Sequence, residues 1–206
     1  MKVVLLEVGM LGTDCYIAVN EPEKRGVIID PGADAQHILS VVKKRDLTIE
    51  AILLTHGHSD HIGALAEVAK ELKVPVMIGE EDAKMLTNAK INLSAFMGDD
   101  ITCDKANRLL KDGDTVEAAG FVFEVLATPG HTPGGCCFKQ GNIVFSGDTI
   151  FCESIGRTDF PGGSYPQLIK SIKDKILTLP DEVKLLPGHG PGTEVGWERR
   201  MNPFLQ

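Results

Sequence analysis

Seven residues, Thr55-His56-Gly57-His58-Ser59-Asp60-His61, hold three imidazoles and a carboxylate directly behind an apolar run, Ala51-Ile52-Leu53-Leu54. Few folds can place so many metal-competent groups at the end of one buried strand. Without a cation each would need its own hydrogen-bond partner in a crowded space. On extended chain, His56 and His58 are two residues apart and point the same way. Asp60 and His61 fall where the chain enters the next helix and can face another direction, so one loop can serve two metals.

The same arrangement recurs downstream. Val125-Leu126 is followed by Thr128-Pro129-Gly130-His131, and Leu185-Leu186 by Pro187-Gly188-His189. Val144-Phe145 is followed by Ser146-Gly147-Asp148. Five of the six histidines therefore sit in glycine-flanked loops behind strand signals. The sixth, His37, lies in a helical pattern beside polar residues and reads as a solvated surface histidine. Imidazole and carboxylate suit zinc, iron or manganese.

Between these loops, short apolar runs alternate with helical patterns. Strands are expected at Val3–Leu6, Tyr16–Val19, Val27–Ile29, Ala51–Leu54, Val74–Ile78, Phe121–Leu126, Cys136–Phe138, Ile143–Phe145 and Val183–Leu186. Ile38, Leu39, Val41 and Val42 give one helical face. Ile62, Leu65, Ala66, Ala69 and Leu72 give a second, and Leu168, Ile169, Ile172 and Ile176 a third. Glu80–Leu86 fits a short helix, and residues 87–106 read as loops and a mobile flap. Strands with interspersed helices predict α and β layers with the sheets inside.

Composition bounds the function. The chain has 206 residues, 43% hydrophobic and 24% charged, which suits one folded domain over residues 1–206. A net charge of −8 repels a phosphate backbone, so nucleic acid is not an expected partner. No apolar run reaches the ~20 residues of a membrane span, and Lys2 to Glu7 is too short and too soon acidic for a signal peptide. A cytoplasmic protein with no membrane attachment and no obligate protein partner is expected. Its five cysteines, with no Cys-x-x-Cys, read as small buried hydrophobes rather than a disulfide framework.

The ordered set His56-x-His58-x-Asp60-His61, His131, Asp148 and His189, with Asp30-Pro31-Gly32 behind the third strand, resembles the metallo-β-lactamase superfamily over nearly the whole chain. The resemblance implies an α+β fold, a four-layer αββα sandwich with metals at the sheet edges. It implies one metal on His56, His58 and His131, a second on Asp60, His61 and His189, and Asp148 bridging both. The cofactors expected are two divalent ions, zinc first, with iron or manganese as alternatives. Flavodiiron members usually carry Glu where His58 stands, which favours hydrolysis. Class B β-lactamases typically carry Cys or Ser where Asp148 stands, which points away from that activity.

Gly156-Arg157-Thr158-Asp159-Phe160-Pro161-Gly162-Gly163-Ser164 and the tail Trp197–Leu205 resemble the compact glyoxalase II-like hydrolases. Longer glyoxalase II enzymes append a helical glutathione-gripping domain, which a chain ending at Gln206 is expected to lack. They also place a Lys and a Tyr after the bridging Asp; here Arg157 sits near the Lys position and no Tyr follows. The expected substrate is a small-molecule thioester of the S-D-lactoylglutathione kind, attacked by a hydroxide between two metals roughly 3.5–4 Å apart, with Asp60 as the catalytic residue that orients it. Arg157 either holds a substrate carboxylate or pairs with Asp159. Phe160, Tyr165 and Trp197 are expected to pack rather than stack on substrate. The alternatives are a persulfide dioxygenase with one iron on His56, His131 and Asp148, a lactone or ester hydrolase using the same site, and a metal-stabilised binding module.

Overall fold

The computed structural model describes residues 1–206. In chain order its elements are β1 (Lys2–Val8), β2 (Thr13–Asn20), β3 (Arg25–Ile29), α1 (Ala35–Lys44), β4 (Thr48–Leu54), α2 (Ser59–Ile62), α3 (Leu65–Leu72) and β5 (Val76–Gly79). Two 3-10 turns, Glu80–Thr87 and Ser94–Met97, precede β6 (Arg108–Leu110), β7 (Thr115–Ala118), β8 (Phe121–Ala127), β9 (Cys136–Gln140) and β10 (Ile143–Gly147). The hairpin β11 (Ile150–Phe151) and β12 (Ser154–Ile155) leads to α4 (Tyr165–Ser171), β13 (Lys184–Pro187), β14 (Thr193–Glu194) and α5 (Val195–Met201). One sheet runs β1-β2-β3-β4-β5-β6 and the other β14-β13-β10-β9-β8-β7.

Period-two side-chain alternation builds the layers. In β4, Ala51 and Leu53 point between the sheets, while Ile52 and Leu54 point outward onto α1 and α3. In β10, Phe145 joins the inter-sheet core and Val144 faces α4 and α5. Each helix lays one apolar stripe on a sheet: Ile38 and Val42 from α1, Leu65 and Val68 from α3, Leu168 from α4 and Val195 from α5. The result is helices, sheet, sheet, helices, which is the four-layer α+β sandwich expected. No helix is long and apolar enough to cross a membrane.

The main strands fall where the apolar runs placed them. Five were not anticipated: β6, β7, β11, β12 and β14, along with helix α5. Each is short, and β7 alternates buried Val116 and Ala118 with exposed Thr115 and Glu117, so it carries little apolar signal. The helix expected from Ile62 onward is two pieces interrupted at Gly63, whose Cβ, if present, would strike the Gly32 carbonyl. All five cysteines are free thiols; Cys15, Cys136 and Cys137 are buried as expected, whereas Cys103 and Cys152 are half-buried, and His37 is exposed as expected.

Strand direction decides where the loops go. β3, β4 and β5 are parallel, as are β10 and β13, and β8 runs with β10 because each pairs antiparallel with β9. The carboxyl ends of β8, β10 and β13 therefore lie on one edge. A bond from the Cys136 amide to the Thr55 carbonyl (2.9 Å) ties the end of β4 to that same edge. Phe145 is fully buried between the sheets, 5.4 Å from the Tyr16 ring and 6.4 Å from the Phe123 ring. Its truncation to Ala should cost about 3–5 kcal/mol of unfolding free energy, read as a lower urea midpoint with an unchanged slope.

Candidate metal centre

Four loops converge on this edge. His56 and His58 lie in the loop that leaves β4, His58 with extended backbone, and Asp60 and His61 lie in the short α2. His131 follows β8, Asp148 follows β10 and His189 follows β13. The donor atoms of His56, His58 and His131 lie within 4.8 Å of one another, and so do those of Asp60, His61 and His189. The residues of both expected triads are brought together, and Asp30, His56 and His61 form a further such group between them. Asp148 faces both: Oδ1 is 3.3 Å from His61 Nε2, and Oδ2 is 3.6 Å from His131 Nε2 and 3.8 Å from His189 Nε2.

Hydrogen bonds on the far side of each ring fix which nitrogen faces inward. The Thr55 hydroxyl donates to Asp30 Oδ2 (2.6 Å), so it accepts from His56 Nδ1 (3.1 Å) and leaves His56 Nε2 as the free acceptor. His61 Nδ1 donates to Asp30 Oδ2 at 3.0 Å, and His131 Nδ1 donates to the Arg157 carbonyl at 2.7 Å. Both rings therefore present Nε2, the arrangement by which outer acceptors orient metal ligands. His58 Nδ1 lies 3.0 Å from His131 Nε2, so two ring nitrogens face each other across the first triad.

Only three buried side-chain polar atoms in the chain lack a hydrogen-bond partner: His56 Nε2, His61 Nε2 and Asp148 Oδ1. All three point into this cluster. Buried polar groups are otherwise partnered almost without exception, so orphans gathered at one point fit a cation. Protonation agrees with that fit at His56 and His58. Burial, reinforced by neighbouring imidazoles, holds His56 well below the usual range and His58 down at about 3, so both lone pairs are free. In the second triad burial opposes every charge, but the carboxylates of Asp60, Asp148 and Asp30 raise His61, and Asp60 and Asp148 raise His189. The His61 charge in turn keeps the Asp60 and Asp148 carboxyls below their ordinary value. With no cation bound a proton occupies this half of the site, and a metal would displace it. The residues present thus fit two divalent ions.

Two carboxylates missed in the sequence hold the loops in place. Asp30, at the end of β3, takes a left-handed backbone (φ +51°) that is uncommon outside glycine. From there it accepts from the Thr55 amide (2.8 Å), the Thr55 hydroxyl and His61, and so links both triads. Asp82, fully buried in the first 3-10 turn, accepts from the Gly57 amide (3.1 Å), the Thr132 hydroxyl (2.7 Å) and the Gly134 amide (2.6 Å). It clamps the His56–His58 loop to the His131 loop. Neither lies in a histidine-rich stretch, so spacing gave no signal for Asp82. Asp30 was visible only as part of Asp30-Pro31-Gly32.

Gly188 explains one glycine of the pattern. A Cβ there would press into Asp148 Oδ1 and lie 2.6 Å from His61 Cε1. Arg157 and Phe160 also reach the site. Arg157 forks onto Asp159 through Nε (2.7 Å) and Nη2 (2.8 Å), as its pairing alternative anticipated, and its guanidinium lies 3.7 Å from the Phe160 ring centre. Phe160 packs edge-on against His58 at 5.9 Å and also lines the cleft. Tyr165 and Trp197 are partly exposed and stand outside the cleft lining. Asp30→Ala releases the His61 ring and Thr55 together; metal affinity measured by competition with a chromophoric chelator should fall about 10–100-fold.

With the site defined, comparison with known proteins places it. Residues 8–189 match the family model of the metallo-beta-lactamase superfamily. The chain is 35% identical over 216 residues to the hydroxyacylglutathione hydrolase GloC of Haemophilus influenzae, covering 100% of this chain and 98% of that one. Among solved structures it is similar to BLEG-1 B3 metallo-beta-lactamase, with TM-score 0.96, 38% identity and full coverage of both chains. It is also similar to TTHA1623 in a di-iron-bound form, with TM-score 0.85, 36% identity, and coverage of 98% of this chain and 100% of that one. The protein, with its two donor triads and its two facing sheets, belongs to the metallo-β-lactamase superfamily of metal-dependent hydrolases.

Proposed function

We propose that the chain is a dinuclear-metal hydrolase acting on small-molecule thioesters, in the manner of the hydroxyacylglutathione hydrolase it is similar to. The observation that carries this reading is the double triad with Asp148 facing both halves. Three donors per ion leave coordination open for water and substrate, as catalytic rather than structural sites do. Divalent ions held there would supply Lewis acidity and acidify bound water. Zinc is the first candidate, and iron is supported by the di-iron relative.

The chain's own residues do the rest. His56, His58 and His131 form one wall of the site, and Asp60, His61 and His189 the other. Asp60 lines the cleft, with Oδ2 3.2 Å from His189 Nε2, and its free oxygen can orient an attacking water. No Lys, Tyr or Cys lines the cleft to protonate a leaving group. A thiolate departs without such an acid, whereas the amine of an opened amide needs one. The chemistry of the lining therefore favours thioesters and activated esters or lactones. One-iron persulfide chemistry would use only His56, His131 and Asp148 and leave Asp60, His61 and His189 without a task.

Similarity to a B3 metallo-beta-lactamase favours a second reading, β-lactam hydrolysis at the same centre. Side-by-side rates with S-D-lactoylglutathione, a simple thioester, a lactone and a cephalosporin separate the readings. Thiol release from a thioester by metal-replete protein is expected, at a higher kcat/KM than for any lactam. No turnover of any thioester rejects the proposal. Chelation should abolish the rate and zinc or iron restore it. Asp148→Ala should lower kcat/KM by more than the roughly 100-fold typical of losing a residue that only orients a ligand.

A further inference from the structure

Above the donor triads opens a cleft of about 540 Å³. Its far walls are Leu11, Leu93, Phe96, Met97, Phe160 and Pro161. Several of these are open to water: Phe96 is 77% exposed, Met97 56% and Leu11 54%, and neighbouring Met10 is wholly exposed. Single exposed apolar side chains are ordinary, but a contiguous set at the rim of a site marks a binding surface. Met10 and Leu11 come from the β1–β2 turn, and Phe96 and Met97 from the second 3-10 turn, so two separate loops present apolar lips to one opening.

The lip carrying Phe96 and Met97 is anchored at its base. Asn92, fully buried, donates to the carbonyls of Met85 and Ile101 (both 2.9 Å) and accepts from the Ser94 amide (3.0 Å) and hydroxyl (2.7 Å). The Asn92 carbonyl accepts from the Ser59 amide (2.9 Å), beside the ligand His58. Leu93, between these bonds, takes a left-handed backbone at φ +74°, a strained state for a bulky residue. Strain of that kind persists where surrounding bonds over-determine it, and it clusters at ligand clamps. Here it sets a leucine into the cleft wall.

Charge points the same way. Apart from the histidines, Arg157 is the only cation in the lining, and both arms of its fork already hold Asp159. Its guanidinium also lies over Phe160. A glutathione arm brings two carboxylates, and outside the histidines the lining offers them one unbonded cationic donor, Arg157 Nη1. Desolvating a carboxylate against apolar walls without a partner is unfavourable.

We infer that the cleft takes an uncharged, apolar arm of its substrate, an alkyl or aryl group on the acyl or the thiol side, with Leu93, Phe96 and Met97 as specificity-determining residues. The inference takes its chemistry from the thioester reading above and adds the arm. Binding is the first test, with non-hydrolysable thioethers titrated calorimetrically into zinc-loaded protein. S-hexyl-N-acetylcysteamine should bind at least about tenfold tighter than its S-methyl homologue, since each buried methylene contributes roughly three- to fourfold. It should bind no more weakly than S-hexylglutathione. Phe96→Ala and Met97→Ala, both at exposed positions, should shrink the hexyl-to-methyl ratio at least threefold. Equal affinity for methyl and hexyl, or tenfold tighter binding of the glutathione conjugate, overturns the inference.

Turnover then locates the arm. Hexanoyl-N-acetylcysteamine against its acetyl homologue probes the acyl side, and S-hexyl thioacetate against S-methyl thioacetate the thiol side. A gain in kcat/KM on either side supports the inference, and a gain on neither contradicts it. If no thioester turns over while chain-length-dependent binding persists, the hydrolase reading falls and the apolar arm stands.

Discussion

Five imidazoles and two carboxylates are packed at one sheet edge, and three of their buried atoms have no hydrogen-bond partner. An unpartnered buried polar group costs about 1–3 kcal/mol, so a cluster like this is a liability to a folded chain on its own. Coordination of cations turns the same desolvated donors into an asset. Every other feature of the site follows from that constraint. Asp30 and the Arg157 carbonyl occupy the outward nitrogens of His61 and His131, so the inward nitrogens stay free.

The scaffold makes this convergence cheap. Two facing sheets bury their inner side chains against one another and their outer ones against helices, and parallel strands release their loops at a common edge. Rigid strand ends hold the donors more precisely than a long loop could. Ligands from positions 56 to 189 therefore meet without any one segment having to fold back on itself. Asp82 adds a direct link between the two loops of the first triad, and its three bonds come from groups that would otherwise be buried without acceptors.

Much of this was legible in the residues. His56-Gly57-His58-Ser59-Asp60-His61 behind Leu53-Leu54 announces a donor cluster by density alone, and β4, β8, β10 and β13 announce themselves as apolar runs. The partition into two triads came from the family resemblance; the structure brings both sets of donors together and also joins His56 to His61 through Asp30. What stayed hidden has a physical reason. Strands such as β11, β12 and β14 are two residues long, too short for any periodicity to register. Asp82 is one acid among Glu80, Glu81 and Asp82, and only burial distinguishes it from its exposed neighbours. The apolar lip at Leu93, Phe96 and Met97 falls in a stretch with weak pattern, because its side chains face a cleft rather than a core.

The proposal of two cations sharing Asp148 is tested most directly by anomalous diffraction from crystals of zinc-loaded protein. Two separate peaks are predicted, one within ligand distance of His56, His58 and His131, the other of Asp60, His61 and His189. A single peak, or metal bound away from both triads, would contradict it.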